Sequence, residues 1–99
     1  MTVVSKLDDE QRAAALERLD GWSAEGEAIV RTFRFKDFLR AMDFVGEVAE
    51  LAEERRHHPD IDIRYNKVTL RLSSHDAGGV TARDIGFAEV VGRLISRLA

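Results

Sequence analysis

The sequence predicts an α+β fold of two layers, in which helices cover one face of a single antiparallel sheet. Stretches with helical and strand periodicity follow one another in the order helix, strands, helix, strands, helix. The strand stretches come in adjacent pairs, and short connections join antiparallel strands, whereas parallel strands need long crossovers. The chain has 99 residues, of which 44% are hydrophobic, as expected for one globular domain that spans residues 1–99.

The first helix is predicted over residues 8–19. Acidic residues crowd its first turn and alanines follow, and both features favour a short helix. Asp20-Gly21 then ends the helix. Its predicted buried residues are Ala13, Leu16 and Leu19.

The first strand pair is predicted over residues 22–35. Trp22 begins a short strand, Glu25-Gly26 forms a turn, and residues 28–35 are rich in the residue types that favour strands. Ile29, Phe33 and Phe35 share one parity of the second strand. Arg31 has the same parity and is the polar exception.

The middle helix is predicted over residues 37–54, with Arg55 and Arg56 at its C-terminal end and Pro59 preventing its continuation. Hydrophobic residues recur there at spacings of three and four, which is typical of one helix face. This face contains Phe38, Ala41, Met42, Val45, Val48, Ala49 and Ala52.

The second strand pair and the last helix complete the chain. Apolar residues occupy odd positions from Ile61 to Tyr65 and even positions from Val68 to Leu72, so a bulge or tight turn is predicted at Asn66-Lys67. Residues 81–84, Thr-Ala-Arg-Asp, have the spacing of a capping box that begins a helix. The buried face of that helix is predicted to contain Ile85, Ala88, Val91, Leu94, Ile95 and Leu98.

Composition argues against several classes of function. The formal net charge is −3, and the chain has no basic stretch of the kind that binds a phosphate backbone, so no nucleic-acid partner is expected. The absence of cysteine excludes disulfides and thiolate catalysis. The N-terminal residues turn acidic before any long apolar run develops, so they are not expected to form a signal peptide, and no run approaches the roughly 20 apolar residues that span a bilayer. We therefore expect a cytoplasmic protein that has no membrane partner.

The three histidines are the candidate catalytic residues. His57 and His58 follow the end of a helix, and His75 follows the end of a strand. Imidazole titrates near neutral pH, so a histidine can donate and accept protons in one turnover. A dehydration needs both actions, because the leaving hydroxyl must gain a proton and the substrate must lose one. General acid–base catalysis contributes about 10²- to 10⁴-fold.

Other interpretations of these residues remain open. His57-His58 before a proline is also compatible with a polar loop. A zinc site is less favoured, because two adjacent histidines and a third 17 residues later fit no standard zinc spacing. Asp84 has a structural alternative as the acid of the capping box, Glu53 as a solvated acid, and Tyr65 as a core residue.

The order and spacing of these residues resemble the signature of the pterin-4a-carbinolamine dehydratase family. The segment from Glu53 to Pro59, followed at the family's intervals by Tyr65, His75 and Asp84, carries this resemblance. Familial segments also include Phe33-Arg34-Phe35-Lys36-Asp37-Phe38 and Gly79-Val80-Thr81-Ala82-Arg83-Asp84-Ile85. The resemblance extends from about Leu7 to Leu94.

The resemblance implies a sheet of four strands and the conversion of 4a-hydroxytetrahydropterin to quinonoid dihydropterin, which recycles the cofactor of aromatic amino acid hydroxylases. It implies that His57 and His75 are the acid–base pair and that His58 binds or polarises the pterin. The resemblance also implies that the further substrate-binding positions are Glu53, Pro59, Asp60, Tyr65, Ser74 and Asp84.

The resemblance also implies that no metal and no organic cofactor take part, and that the chain forms a homodimer or homotetramer. Ile61 stands where many relatives have an aromatic residue, so stacking on the pterin is lost there. Some members of the family serve instead as protein-interaction or assembly modules. Degenerate members of that kind lose the histidines, which this chain keeps.

Overall fold

The computed structural model describes residues 5–98 and contains an open sheet of four antiparallel strands with three α-helices. The spatial order of the strands is β1-β2-β4-β3. This arrangement confirms the predicted α+β class and the strand number that the resemblance implies. The elements are α1 (Asp9–Glu17), β1 (Ser23–Glu25), β2 (Ala28–Arg34), α2 (Phe38–Arg55), β3 (Asp60–Arg64), β4 (Lys67–Leu72), a 3₁₀ turn (His75–Ala77) and α3 (Ala82–Leu98).

The β3–β4 hairpin determines which end of the sheet carries the candidate site. Its loop is Tyr65-Asn66, which explains the predicted change of parity at this point. Asp60 at the start of β3 lies opposite Arg71, next to the last residue of β4. The segment that precedes β3 and the segment that follows β4 therefore lie at the same end of the hairpin, and each contains predicted site residues.

The core lies on one face of the sheet. Buried side chains of β2 and β4 alternate along the strands with more exposed ones, as expected for a sheet covered on one side. On the opposite face, the hydroxyl groups of Thr32 and Thr69 are hydrogen-bonded at 2.8 Å and exposed. Across the covered face, the Phe33 and Phe44 rings pack with centroids 4.7 Å apart. The helices therefore cover only one face, as predicted.

The predicted helix faces were partly wrong. In α1, Ala15 is buried and Ala13 is exposed. In α2 the buried residues are Ala41, Phe44, Val48 and Ala52, whereas Phe38, Met42 and Ala49 are exposed. In α3, Phe87 is buried and Leu98 is exposed. Periodicity predicts a broad stripe, but only the part of the stripe that meets the sheet becomes buried.

The edge strand β3 is exposed along its whole length. Ile61 pairs with Leu70 and Ile63 with Val68, so both isoleucines face the same side as the core. Both are nevertheless exposed. The helices thus leave this edge of the covered face open.

Candidate active site

The C-terminal turn of α2 places His57 and His58. Arg56 adopts the left-handed conformation, with φ of 52°. The His57 N–H donates to the carbonyl of Ala52 at 3.1 Å, and the Arg56 N–H donates to the carbonyl of Glu53 at 3.3 Å. This is the Schellman pattern, which ends a helix and turns the chain back across its last carbonyls. The two histidines therefore begin the irregular segment 57–59 that leads into β3, and their side chains have different partners.

A buried carboxylate binds the ring of His57. Nε2 of His57 lies 2.5 Å from Oδ1 of Asp84, and the exposed fractions of the two side chains are 12% and 0%. The same carboxylate accepts a hydrogen bond from the Thr81 backbone N–H at 2.8 Å through Oδ2. Asp84 is therefore both the acid of the predicted capping box and the hydrogen-bond partner of His57.

Ser74 and Thr81 complete this buried network. The Ser74 hydroxyl donates to Oδ2 of Asp84 at 2.9 Å and lies 2.8 Å from the Thr81 hydroxyl. Each hydroxyl has one proton, so Thr81 must donate to Ser74. The Thr81 oxygen in turn accepts from the Arg83 N–H at 3.2 Å. Asp84 thus receives three hydrogen bonds, which offset the cost of burying its charge.

The network fixes the orientation and tautomer of His57. An ionised carboxylate only accepts hydrogen bonds, so Nε2 of His57 carries the proton that faces Asp84. When the ring is neutral, Nδ1 is then the nitrogen that can accept a proton. The ring also packs edge-on against Phe87, with centroids 6.2 Å apart. The arrangement is that of an oriented general base or, after protonation, a general acid.

His58 has a very different environment. Its Nε2 lies 2.5 Å from Oε2 of Glu53, and the exposed fractions of the two side chains are 62% and 79%. Exposed pairs of this kind contribute little to stability and hold their side chains weakly. The structure therefore brings Glu53 and His58, two predicted site residues, into contact. Their contact lies on the solvent side of the helix end.

The loop that carries His75 is anchored on both sides of that residue. Ser74 binds Asp84, and Asp76 accepts a hydrogen bond from Nη2 of Arg83 at 2.6 Å. This hydrogen bond from Arg83 is the main cause that lowers the pKa of Asp76, and the nearby His57 contributes in the same direction. His75 itself is exposed at the start of the 3₁₀ turn. Its neighbours thus tie it to the same network that holds His57.

A small cavity opens beside His57. Its volume is about 170 Å³, and its lining residues are Arg55, His57 and Arg83. Nε of Arg83 is buried and has no hydrogen-bond partner among residues 5–98. A Cβ at Gly86 would lie 3.5 Å from Nη1 of Arg55, which is an ordinary van der Waals contact, so the Arg55 side chain passes close to the start of α3. Neither arginine was predicted as a site residue, although Arg55 lies in the segment from Glu53 to Pro59 and Arg83 lies inside the capping-box motif.

The remaining predicted residues fall into two groups. Pro59 and Asp60 link His58 to the start of β3 and so lie at the site end of the hairpin. Tyr65 lies in the hairpin loop with φ of 53° and is exposed. The five residues of β3 lie between Tyr65 and Pro59, so these two residues are about 20 Å apart at the usual rise of about 3.3 Å per residue. A single chain therefore does not bring Tyr65 to His57.

Across residues 5–98, no group of three or more histidine, cysteine, aspartate or glutamate side chains is arranged to hold a metal ion. None of the helices in this part of the chain combines the length and the apolar character that crossing a bilayer requires.

The fold and the site define a small α+β protein in which a buried carboxylate orients a histidine at one end of the sheet. The sequence profile of the family described as pterin 4 alpha carbinolamine dehydratase matches residues 5–94. The chain belongs to this family.

Bacterial relatives cover nearly the whole chain. A protein of Thermomicrobium roseum is 54% identical over 94% of this chain and 100% of its own length. One of Koribacter versatilis is 56% identical over 89% of this chain and 90% of its own length. Both are provisionally named pterin-4-alpha-carbinolamine dehydratases.

Two solved structures share the fold. A transcriptional coactivator/pterin dehydratase from Brucella melitensis has a TM-score of 0.87 and 38% identity, covering 90% of this chain and 97% of its own. A pterin dehydratase-like protein identified as a RuBisCO assembly factor in the alpha-carboxysome has a TM-score of 0.61 and 23% identity, covering 74% and 84%. At that identity the second match supports the fold alone.

Proposed function

We propose that this chain, acting as a single domain, is a hydro-lyase that converts 4a-hydroxytetrahydropterin to quinonoid dihydropterin and water. The single observation that carries the proposal is the His57–Asp84 pair at 2.5 Å, in which a buried carboxylate orients the imidazole beside a cavity. The family membership supplies the substrate class. In a cytoplasmic setting, the product would return to the tetrahydro form and so recycle the cofactor of aromatic amino acid hydroxylases.

His57 and His75 exchange the two protons of the reaction. One imidazolium gives a proton to the 4a-hydroxyl group, whose bond to carbon breaks as water leaves. The other imidazole accepts the proton that the substrate loses. Protons are therefore conserved over the turnover, and the reaction needs neither a metal nor an organic cofactor.

The other residues bind substrate or position the acid–base pair. His58, with Glu53, Pro59 and Asp60, is proposed to contact the pterin at the exposed side of the site. Ser74 and Asp84 are buried and hydrogen-bonded to each other, so they act by holding His57. Tyr65 reaches a pterin only at a site formed with a second chain, because β3 separates it from His57 in its own chain.

The test is direct measurement of dehydration. A pterin-dependent hydroxylase generates the 4a-carbinolamine, and its ultraviolet absorbance decay is followed with and without the protein. We expect acceleration by the wild-type chain and its loss in His57→Ala and His75→Ala, both of which should keep the far-ultraviolet circular dichroism of the folded protein. Arg34→Gln, on the exposed face of β2, is the matched control. Equal decay with wild type and with the double histidine variant would reject catalysis.

A second candidate function is a protein-interaction module, and the open edge of the sheet favours it. Ile61 and Ile63 are exposed on the edge strand β3, and Phe38 and Met42 are exposed on α2. An unpaired edge with apolar side chains is a surface for association. On either function we propose that the chain associates into a homodimer or homotetramer. Light scattering of the wild type and of Ile63→Lys tests this association: a monomer in both cases would contradict it.

A further inference from the structure

Arg31 is a cation on the covered face of the sheet, and the proposed dehydration gives it no role. It lies opposite Leu70 in the sheet. Its Cζ is 4.4 Å from the centre of the Phe33 ring. A Cβ at Gly21 would come within 2.7 Å of Nε of Arg31, and Gly21 has φ of +84°. The arginine side chain therefore passes over a glycine in a conformation that other residues rarely adopt.

Arg31 lines a groove that is separate from the cavity beside His57. The groove has a volume of about 890 Å³, lies between the end of α1, β2 and α3, and shares no lining residue with the cavity beside His57. Its charged lining residues are Arg18, Arg31, Arg93, Arg97, Asp20 and Glu89.

The positive charge of this groove is not neutralised. Four arginines face two acids, which leaves a net charge of +2 in a chain whose net charge is −3. Within residues 5–98, none of the four guanidinium groups forms an ion pair or a side-chain hydrogen bond. Burial lowers the pKa of Arg31, with the nearby Asp20 acting in the opposite direction, and the group stays positively charged at neutral pH.

Trp22 provides an independent observation in the same groove. It lines the groove and is only 6% exposed. Its Nε1 is buried without a hydrogen-bond partner in the described part of the chain. An unsatisfied buried donor costs about 1–3 kcal/mol. The lining of the arginine groove thus includes a buried N–H donor that has no acceptor in the described part of the chain.

We propose that this groove binds a small-molecule phosphate monoester. The phosphate group carries about −1.5 to −2 charges at neutral pH, which matches the net charge of the groove. Arginine presents donors in a planar fork that suits phosphate oxygens. The volume lies in the range of about 300–1,000 Å³ that is usual for small-molecule sites. The organic part of the ligand rests on the apolar wall formed by Leu19, Ala88 and Ile95.

Calorimetric titration of the full chain with phenyl phosphate at low ionic strength tests the proposal. We expect one site per chain, weaker binding at higher salt, about tenfold weaker binding of the monoanion benzoate, and none of phenol. Trp22 is the only tryptophan, so a change in its fluorescence locates the ligand in the groove. The assay contains no pterin, and binding should survive His57→Ala, so its outcome is independent of the proposed function.

Charge variants decide whether the arginines hold the ligand. Arg31→Met and Arg93→Gln should each weaken phenyl phosphate binding about tenfold or more, whereas Arg34→Gln on the opposite face of β2 should not change it. If Arg31→Met does not fold, the double variant Arg93→Gln/Arg97→Gln on α3 replaces it. No heat at millimolar ligand, unchanged affinity in the groove variants, or equal weakening by Arg34→Gln would each overturn the proposal.

Discussion

The two neighbouring histidines after α2 form pairs of the same length in opposite environments. His57 and His58 each place Nε2 at 2.5 Å from a carboxylate oxygen, but the partner of His57 is fully buried and the partner of His58 is 79% exposed. Asp84 also receives hydrogen bonds from Ser74 and Thr81, whereas the carboxylate of Glu53 is bound only to His58 among the described residues. Burial and shared hydrogen bonds, and not the distance itself, determine how much each pair contributes.

The largest effect on stability is expected when the carboxylate of Asp84 is removed. Asp84→Ala leaves His57, Ser74 and the Thr81 N–H without their shared acceptor in a buried place. We expect a loss of about 3–5 kcal/mol in the free energy of unfolding, measured by urea denaturation. A loss below about 1 kcal/mol would show that the buried pair is no stronger than an exposed one.

Asp84→Asn separates catalysis from stability at the same position. The amide oxygen can still accept from Ser74 and Thr81, but the amide nitrogen would face Nε2 of His57 and favour the other tautomer. We expect a folded protein whose dehydration rate falls by about 10²-fold or more in the carbinolamine assay. Unchanged activity would mean that His57 does not act through the Asp84 pair.

A smaller effect is expected at Arg56, the left-handed residue that precedes the two histidines. Arg56 has φ of 52°, a conformation that costs a residue with a Cβ roughly 1–2 kcal/mol and costs glycine little. Arg56→Gly should therefore raise the free energy of unfolding by about 1 kcal/mol and leave dehydration unchanged. Glu54→Gly, inside the helix, is the control and should lower it by about 1 kcal/mol. A loss of stability in Arg56→Gly would show that its side chain matters more than its backbone.

A still smaller effect on stability is expected when the exposed pair of Glu53 and His58 is broken. Glu53→Gln should change the free energy of unfolding by less than about 1 kcal/mol. If Glu53 and His58 contact the pterin, the variant should raise KM more than it lowers kcat. A stability loss equal to that of Asp84→Ala would remove the contrast between the two pairs.

The smallest effect is expected for the ion pair of Asp76 and Arg83. The hydrogen bond from Arg83 lowers the pKa of Asp76 below its ordinary value of 3.8. A lowered pKa means that the carboxylate stabilises the fold above pH 3.8 and that this contribution disappears as the pH falls through the lowered pKa. Wild type should therefore be slightly more stable than Asp76→Asn at pH 6, and the difference should vanish in acid. A difference that grows on acidification would contradict this sign.

Much of this protein is determined by the sequence alone. Periodicity and turn residues give the element order, the hairpin turn before Lys67 and the capping box at Thr81, because these depend on contacts within a few residues. The spacing from Glu53 to Asp84 gives the family and the candidate histidines.

Only the tertiary structure decided which of these features are buried. The shared carboxylate of Asp84, the exposed isoleucines of β3 and the groove around Arg31 all depend on how far the helices extend over the sheet. Local sequence assigns a residue to a face, but whether that face is covered depends on elements distant along the chain. A polar group contributes more to stability where the helices cover it, because charges and hydrogen bonds interact most strongly where water is excluded.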